Sequence, residues 1–418
     1  MNATFRSLGI RNFRLFFIGQ AISQIGTWMR MVAMALLVLH ITDSGVAVGL
    51  MTAFQFLPVL LLGAWAGLVA DRSDKRKLLL IVQTALMGQS FALAALAFMD
   101  RPPVLALYAV ALAGGVATAF DNPARRSFVV EMVPEANVQN AVALNTAMMT
   151  GSRIFGPALA GVLITTVGYG WAFLADGLSY IAVLAGLWMM RPAELRPAPP
   201  AIRGKGQVRE GLRYTRATPD LWISLVMMAV IGTLAFNFSV TFPLFVTRAL
   251  DGDEQLFTLL FSVVSIGSVA GSLWAARRES VELRQVVVAA FLFGAAMLLL
   301  AGSPGIALAF PFAVLVGLGS IIFMTSSTAL LQLRADPSMR GRVLALQAMV
   351  FLGSTPVGGP IVGWVSEVFG ARMGLVVGGV ACIGAGIWGG LAGRRRLDRT
   401  VSTDGLVASG ADANLQSA

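Results

Sequence analysis

Gly67-Leu68-Val69-Ala70-Asp71-Arg72-Ser73-Asp74-Lys75-Arg76-Lys77 divides two apolar runs, 47–70 and 78–99. Each run has the ~20 residues that a helix needs to cross a hydrocarbon core. The charged stretch between them is too short to be anything but a loop. Outward from it the pattern repeats. Apolar runs lie at 13–40, 47–70, 78–99, 104–121, 138–167, 171–190, 221–246, 256–276, 285–301, 305–333, 343–365 and 373–391. Lipid offers no partner to a free backbone amide, so each run is expected to cross as a helix. Composition agrees. Of 418 residues 57% are hydrophobic and 12% charged, against about 25% charged in soluble domains. A globule's surface shrinks too slowly relative to its volume to hide so much apolar area in one soluble core.

The loops set the topology. One set holds Arg6, Arg11 and Arg14, then Arg72 to Lys77, Arg125 and Arg126, the 191–216 stretch, Arg277, Arg278 and Arg284, Arg334 to Arg342, and Arg394 to Arg399. The alternate loops hold only Arg101, Arg248 and Arg372, while Arg30 and Arg153 fall inside runs. This alternation is the positive-inside pattern and predicts both termini in the cytoplasm of a cell whose inner membrane the chain spans many times. The amino-terminal run is too long for a cleaved signal peptide and no small-residue cleavage site follows it. The net charge of +10 therefore does not imply a nucleic-acid partner, because the basic residues never gather on one soluble face. A single histidine, His40, and a single cysteine, Cys382, leave no metal cluster and no intrachain disulfide. No phosphate-binding loop is present. Neither a cofactor nor an enzymatic centre is expected.

Residues 191–220 are polar, basic and rich in proline, and divide the runs six and six. Four units follow: 1–190 and 221–396 as six-helix bundles, 191–220 as a cytoplasmic linker, and 397–418 as a disordered tail. Within the linker, 207–216 has the pattern of an amphipathic helix with Val208, Leu212 and Tyr214 toward lipid. The two halves repeat at an offset of 202 residues, as between Ala143-Leu144-Asn145 and Ala345-Leu346-Gln347, Gly151-Ser152 and Gly353-Ser354, and Gly115 and Gly317. With a small slip, Gly156-Pro157 and Gly161 match Gly359-Pro360 and Gly363. Internal repeats with a binding site between them are the usual build of secondary transporters.

The opening stretch also resembles the loop between helices two and three of the major facilitator superfamily, departing from it at Asp74 where that family usually has glycine. Gly19-Gln20, Ser23-Gln24 and Gly26-Thr27-Trp28, then Asp121-Asn122-Pro123 with Arg125-Arg126, Arg209-Glu210-Gly211 and Arg340-Gly341-Arg342 narrow the resemblance. Together they are similar to the branch containing the enterobactin exporter, the transmembrane secretion effectors. That resemblance implies an all-α membrane protein of twelve transmembrane helices, two six-helix bundles with pseudo-two-fold symmetry around a central cavity. It further implies alternating access and a monomer.

It also implies a conformational latch of Asp71, Arg72, Lys75 and Arg76 against Arg340 and Arg342. A carboxylate at the end of helix two suits the exposed amides at the start of helix eleven; topogenic charge would account for the basic residues but not for Asp71. Gly151, Gly156, Pro157 and Gly161 resemble an antiporter motif, in which small residues let helices approach and proline frees a carbonyl. Ordinary packing is the plainer reading. Arg30 and Arg153 are intramembrane cations, and a charge at such depth is costly by about 2.5–3.5 kcal/mol unless it is paired or wet. They mark a cavity or a structural ion pair, and Asp176 is the nearest acidic candidate for Arg30. Gln20, Ser23, Gln24 and Thr27, with Trp28, form a stripe on helix one; Asn145, Asn237 and Thr325 are further cavity candidates. Serine and threonine often bond their own helix instead. The expected substrate is a small organic molecule, a siderophore, drug or related metabolite, exported in exchange for protons. The rival readings are an importer of a small organic anion and, with less support, a membrane-embedded sensor or enzyme.

Overall fold

In the computed structural model residues 3–196, 207–275 and 281–415 are described. Among them twelve helices are long and apolar enough to cross a membrane, and no strand occurs. The first bundle is α1 (Arg11–Thr42), α2 (Gly45–Arg72), α3 (Lys75–Ala97), α4 (Val104–Glu131), α5 (Val138–Val167) and α6 (Tyr169–Trp188). A short helix, α7 (Gln207–Ala217), precedes the second bundle. The seventh crossing is divided into α8 (Pro219–Leu234) and α9 (Phe238–Leu244), which runs on into a π-helical turn, Phe245–Ala249. Then come α10 (Glu254–Ala275), α11 (Leu283–Ala301), α12 (Ile306–Arg334), α13 (Arg340–Val368) and α14 (Ala371–Leu415). Successive crossings alternate direction, so the basic loops share one face, here the basic face, and the sparse loops share the opposite face.

Local chemistry explains the boundaries. Ser44 caps α2 by accepting the Ala47 N–H at 3.2 Å. Asp74 caps α3 by accepting the Lys77 N–H at 3.1 Å. Its φ of −61° lies in a region open to any residue, so this turn has no need of glycine.

Four expectations are revised. α4 does not end at residue 121 but continues to Glu131, so Arg125 and Arg126 lie in a helix rather than a loop. Arg125 pairs with Asp121 one turn earlier at 2.9 Å, which lets both charges sit in the helix. The seventh crossing breaks at residues 235–237, where Asn237 Nδ2 donates to the Thr233 carbonyl at 2.6 Å. Tyr214 of α7 faces protein rather than lipid: it packs with Leu221, Leu331 and Val343, and its hydroxyl accepts the Asp336 N–H at 3.0 Å. Residues 397–415 continue α14 as helix; no proline follows Pro360, and an existing helix lengthens without a new nucleus. Residues 197–206 of the linker, Arg277, Arg278 and residues 416–418 lie outside the described residues.

The bundles meet along two seams, α2 with α13 and α5 with α10. At the first, a Cβ on Gly45 would stand 2.7 Å from the Gly363 carbonyl oxygen, and one on Gly49 would stand 2.8 Å from Pro360 Cα. Backbone lies on backbone there. At the second, Gly161 lies on Thr258, and Ser262 and Ser265 donate to the carbonyls of Ile154 and Arg153 at 3.2 and 2.9 Å. The repeated Gly-Pro stretches of the sequence thus occupy the two seams, one in each.

Gly49→Ala should lower thermal stability in detergent by about 1–3 kcal/mol, the usual cost of overpacking. Gly63→Ala, on the same helix with nothing within 4 Å of its added Cβ, should leave stability unchanged or slightly raised.

Candidate functional site

α1 packs against α5 on one side and α6 on the other, and its polar stripe turns inward. Gln20, Ser23, Gln24 and Arg30 are 2%, 3%, 6% and 4% exposed. All four are buried in this conformation. The physical reason is pairing: Arg30 Nε meets Asp176 Oδ2 of α6 at 3.0 Å, and its Nη1 donates to Gln89 of α3. Ser90 donates to the same Asp176 oxygen at 2.6 Å. Thr27 bonds the Ser23 carbonyl at 3.0 Å and lies 3.4 Å from the Tyr180 hydroxyl. The lone charge feared from the sequence is neutralised within its own bundle.

Two more pairs lie along α3. Asp121 of α4 accepts from Gln83 at 2.7 Å and pairs with Arg125, which also reaches Gln20 Oε1 at 3.4 Å. Lys75 pairs with Glu131 at 2.6 Å, both buried. The α3 partners Lys75, Gln83 and Gln89 are spaced by about 12 and 9 Å of helix rise. The second bundle is different in kind. There a Ser224–Ser327 contact at 2.9 Å and a Gln347–Thr328 bond at 3.0 Å form a neutral network.

Of the two arginines inside the apolar runs, Arg153 is the one with no carboxylate partner among the described residues. On α5, Phe155, Leu159 and Val162 form an exposed apolar stripe, which is the lipid face. Arg153 points to the other side, by the 100° step of a helix, yet it too is exposed. It therefore lines the space between the bundles. Its guanidinium stands over the Trp28 ring of α1 at 4.9 Å from the ring centre. Gly156 makes this possible: a Cβ there would stand 2.8 Å from the Ile25 carbonyl and closer still to Trp28. One and two turns before Arg153, Thr150, Met149 and Thr146 share its face, half-buried or exposed. The i, i+3, i+4, i+7 spacing from Thr146 to Arg153 was the signal available in the sequence for this wall. An apolar cleft of about 410 Å³ lies between α2, α8 and α13, lined by Leu60, Thr233, Met349, Gly353 and Val357 among others.

The remaining candidates are placed as follows. Asn145 is half-buried and donates weakly to the Met149 sulfur at 3.8 Å. Thr325 bonds its own helix at the Ile321 carbonyl, 2.7 Å away. Asn237 is 2% exposed at the break in the seventh crossing, against Gly358 of α13. Gly151 has open space around it, while Pro157 is buried. Arg76 donates to the carbonyls of Leu187 and Trp188 at the end of α6. Arg72 and Arg340 are exposed. Arg342 pairs with Glu210 of α7 at 2.8 Å. In this conformation, then, Lys75, Arg76 and Arg342 are engaged within their own bundle or with α7.

Residues 2–404 match the transmembrane secretion effector family. Among characterised relatives, the staphyloferrin A transporter of Staphylococcus aureus is 23% identical, covering 88% of this chain and 93% of its own. The enterobactin exporter of Citrobacter koseri is 24% identical over 84% of each chain, and the macrolide efflux protein A of Streptococcus pyogenes 21% identical over 83% and 87%. A bacterial homologue of the human lysosomal transporter Spinster, solved inward-facing and unoccupied, superposes with a TM-score of 0.73 at 16% identity, covering 93% and 97%.

Removing one member of a buried ion pair strands the other charge, a loss of about 3–5 kcal/mol. Arg30→Ala and Asp176→Ala should each lower the melting temperature markedly in detergent, and Arg30→Met with Asp176→Leu should recover most of it. A double variant no better than either single would contradict a pairing role.

Proposed function

We infer that this chain, which belongs to the transmembrane secretion effector family of the major facilitator superfamily, is a secondary active transporter that exports small organic molecules by alternating access. The observation that carries the reading of its substrate is Arg153. It is a cation exposed to the space between the bundles, stacked on Trp28, and without the carboxylate that neutralises Arg30. A cation over an aromatic face suits an anionic or catecholate group on the cargo. The apolar cleft between α2, α8 and α13 suits the cargo's hydrocarbon part. Siderophore transport by two relatives supports the same class. The basic face is the cytoplasmic one in this reading, with both termini there and the bacterial inner membrane as the site of action. The transporting unit in this reading is a monomer, as the family resemblance implies.

Protons are the coupling ion in this reading. Its support lies in the first bundle, where Asp121, Asp176 and Glu131 are buried carboxylates. Among the described residues Gln20 Nε2, Gln83 Oε1 and Asp176 Oδ1 are buried with no hydrogen-bond partner. Intramembrane carboxylates with unsatisfied neighbours are where a proton can be taken up and released.

Counterflow in proteoliposomes, with a catecholate siderophore and a cationic dye offered in parallel, tests the reading. Loss of a charge-assisted bond is worth about 1.5–3 kcal/mol. Arg153→Ala should therefore raise the half-saturating siderophore concentration by about tenfold or more while the protein stays folded. Transport of the dye alone, unaffected by Arg153→Ala, would make the arginine structural and the protein a general drug exporter.

A further inference from the structure

At the face opposite the basic loops, the second bundle lays its side chains on the first. Glu367, one residue before the end of α13, accepts from the Ser44 hydroxyl at 2.7 Å and from the Val46 N–H at 3.0 Å. Ser44 is the cap of α2, so a carboxylate from one bundle completes the cap of a helix in the other. Beside it Arg248, on the π-helical turn after α9, bonds Asp43 Oδ1 at 2.9 Å and also the Asp43 carbonyl. Asp43 can offer both because it takes a left-handed conformation, φ 44°, to end α1. Across the mouth, at the α5–α10 seam, Glu254 at the start of α10 receives the Tyr169 hydroxyl and lies 3.9 Å from His40 Nδ1. Glu367, Arg248 and Glu254 come from the second bundle; Ser44, Val46, Asp43, Tyr169 and His40 come from the first.

We propose that Glu367 seated on the amino terminus of α2, with the Asp43–Arg248 pair beside it, is the outer gate latch of the transport cycle. A single exposed ion pair contributes little. A carboxylate on free helix amides is stronger, because bond and helix dipole act together. This one sits directly above the Gly45–Gly363 and Gly49–Gly359 crossings, where the backbones already touch. It therefore adds a polar catch to a seam whose crossings at this end are backbone on backbone. The same two helices also carry the mirror arrangement. At the basic face α2 ends at Asp71-Arg72 and α13 begins at Arg340. In the outer latch the carboxylate belongs to the end of α13 and the amides to the start of α2. In the inner latch implied by the sequence the carboxylate belongs to the end of α2 and the amides to the start of α13. The α2–α13 pair is thus a rocker with a carboxylate-on-amide catch at each end, and the outer catch is the engaged one here. Glu367, Asp43 and Arg248 are positioning residues: they touch neither cargo nor coupling ion, and they set which face is open.

The assignment rests on the alternating-access reading, but its test needs no substrate. In a Cys382→Ala background, Thr52→Cys places a reporter thiol on α2 two turns beneath the latch, where the native side chain is 6% exposed. A membrane-impermeant maleimide is applied to intact cells from outside. With the latch intact the thiol reacts slowly. Glu367→Ala should speed labelling by about tenfold, the shift expected on losing charge-assisted bonds, and Glu367→Asp should restore part of the protection. Asp43→Arg and Arg248→Asp should each speed labelling, and the two together should slow it again. Rescue by the exchanged pair is a result that a merely structural role does not give, and it decides the matter should Glu367→Ala fold poorly. Labelling of Glu367→Ala at the wild-type rate, or exchanged charges no better protected than the singles, overturns the latch. Export failing with labelling as expected would overturn the transport reading and leave the latch standing.

Discussion

Backbone can lie on backbone at a membrane crossing only where no Cβ intervenes, and the two bundles of this protein meet at crossings of that kind. Lipid tails are as apolar as leucine, so no hydrophobic force presses helices together inside a bilayer. What holds the seams is close van der Waals approach and the hydrogen bonds that small residues permit. Gly45, Gly49, Gly359 and Gly363 provide the approach at α2–α13; Gly161 with Thr258, Ser262 and Ser265 provides it at α5–α10. At the glycine crossings themselves no Cβ intervenes, which lets one bundle roll on the other there. One apolar core runs through both bundles, from Met29, Leu93 and Ala160 in the first to Phe242, Phe257 and Phe293 in the second, and a further core around Phe16 and Phe128 lies within the first bundle.

The bundles are alike in fold and unlike in chemistry. The first holds three buried carboxylate–cation pairs along α3, and the second holds serine, threonine and glutamine in the corresponding depth. Each charged pair is expensive to desolvate, and hydrophobic residues of similar volume would often be as stable. Retaining three such pairs gives the first bundle a chemistry that the neutral serine–glutamine network of the second lacks. The second bundle contributes instead charged residues at the face opposite the basic loops, Arg248, Glu254 and Glu367, which act on the first bundle across the seam.

The fold was legible in the sequence because its strongest determinants are one-dimensional. Run length, loop charge and the repeated Gly-Pro stretches each read out without knowing any contact. The Arg30–Asp176 pair was legible as well, since a deep cation needs a partner and few acids lie at depth. Other features were not. The stripe Gln20, Ser23, Gln24 and Thr27 has the right spacing for a cavity wall, but spacing fixes a face and not what the face meets; here Gln20 meets Arg125 of α4 and Thr27 meets Tyr180 of α6. Arg125 looked like a loop charge because the apolar run ends at Asp121, the residue one turn earlier that neutralises it. The contact at the face opposite the basic loops was invisible for a related reason: Glu367 and Ser44 are 323 residues apart, and neither belongs to a motif. The break at residues 235–237 carries no proline or glycine, and only the packing of Asn237 on Gly358 marks it.

The central claim is that the bundles exchange one open face for the other by rolling on two glycine-lined seams. Paired spin labels read this directly, one pair across the opposite face at Arg101 and Ile306, the other across the basic face at Lys77 and Leu333. All four positions are exposed in the structure. Pulsed-dipolar distances from each pair, compared between the wild type and Glu367→Ala in lipid nanodiscs, should change in opposite senses, the first population lengthening by the fraction that the second shortens. Distances that lengthen together, or that change at one face alone, would mean that the seams part or flex rather than roll, and would contradict the account.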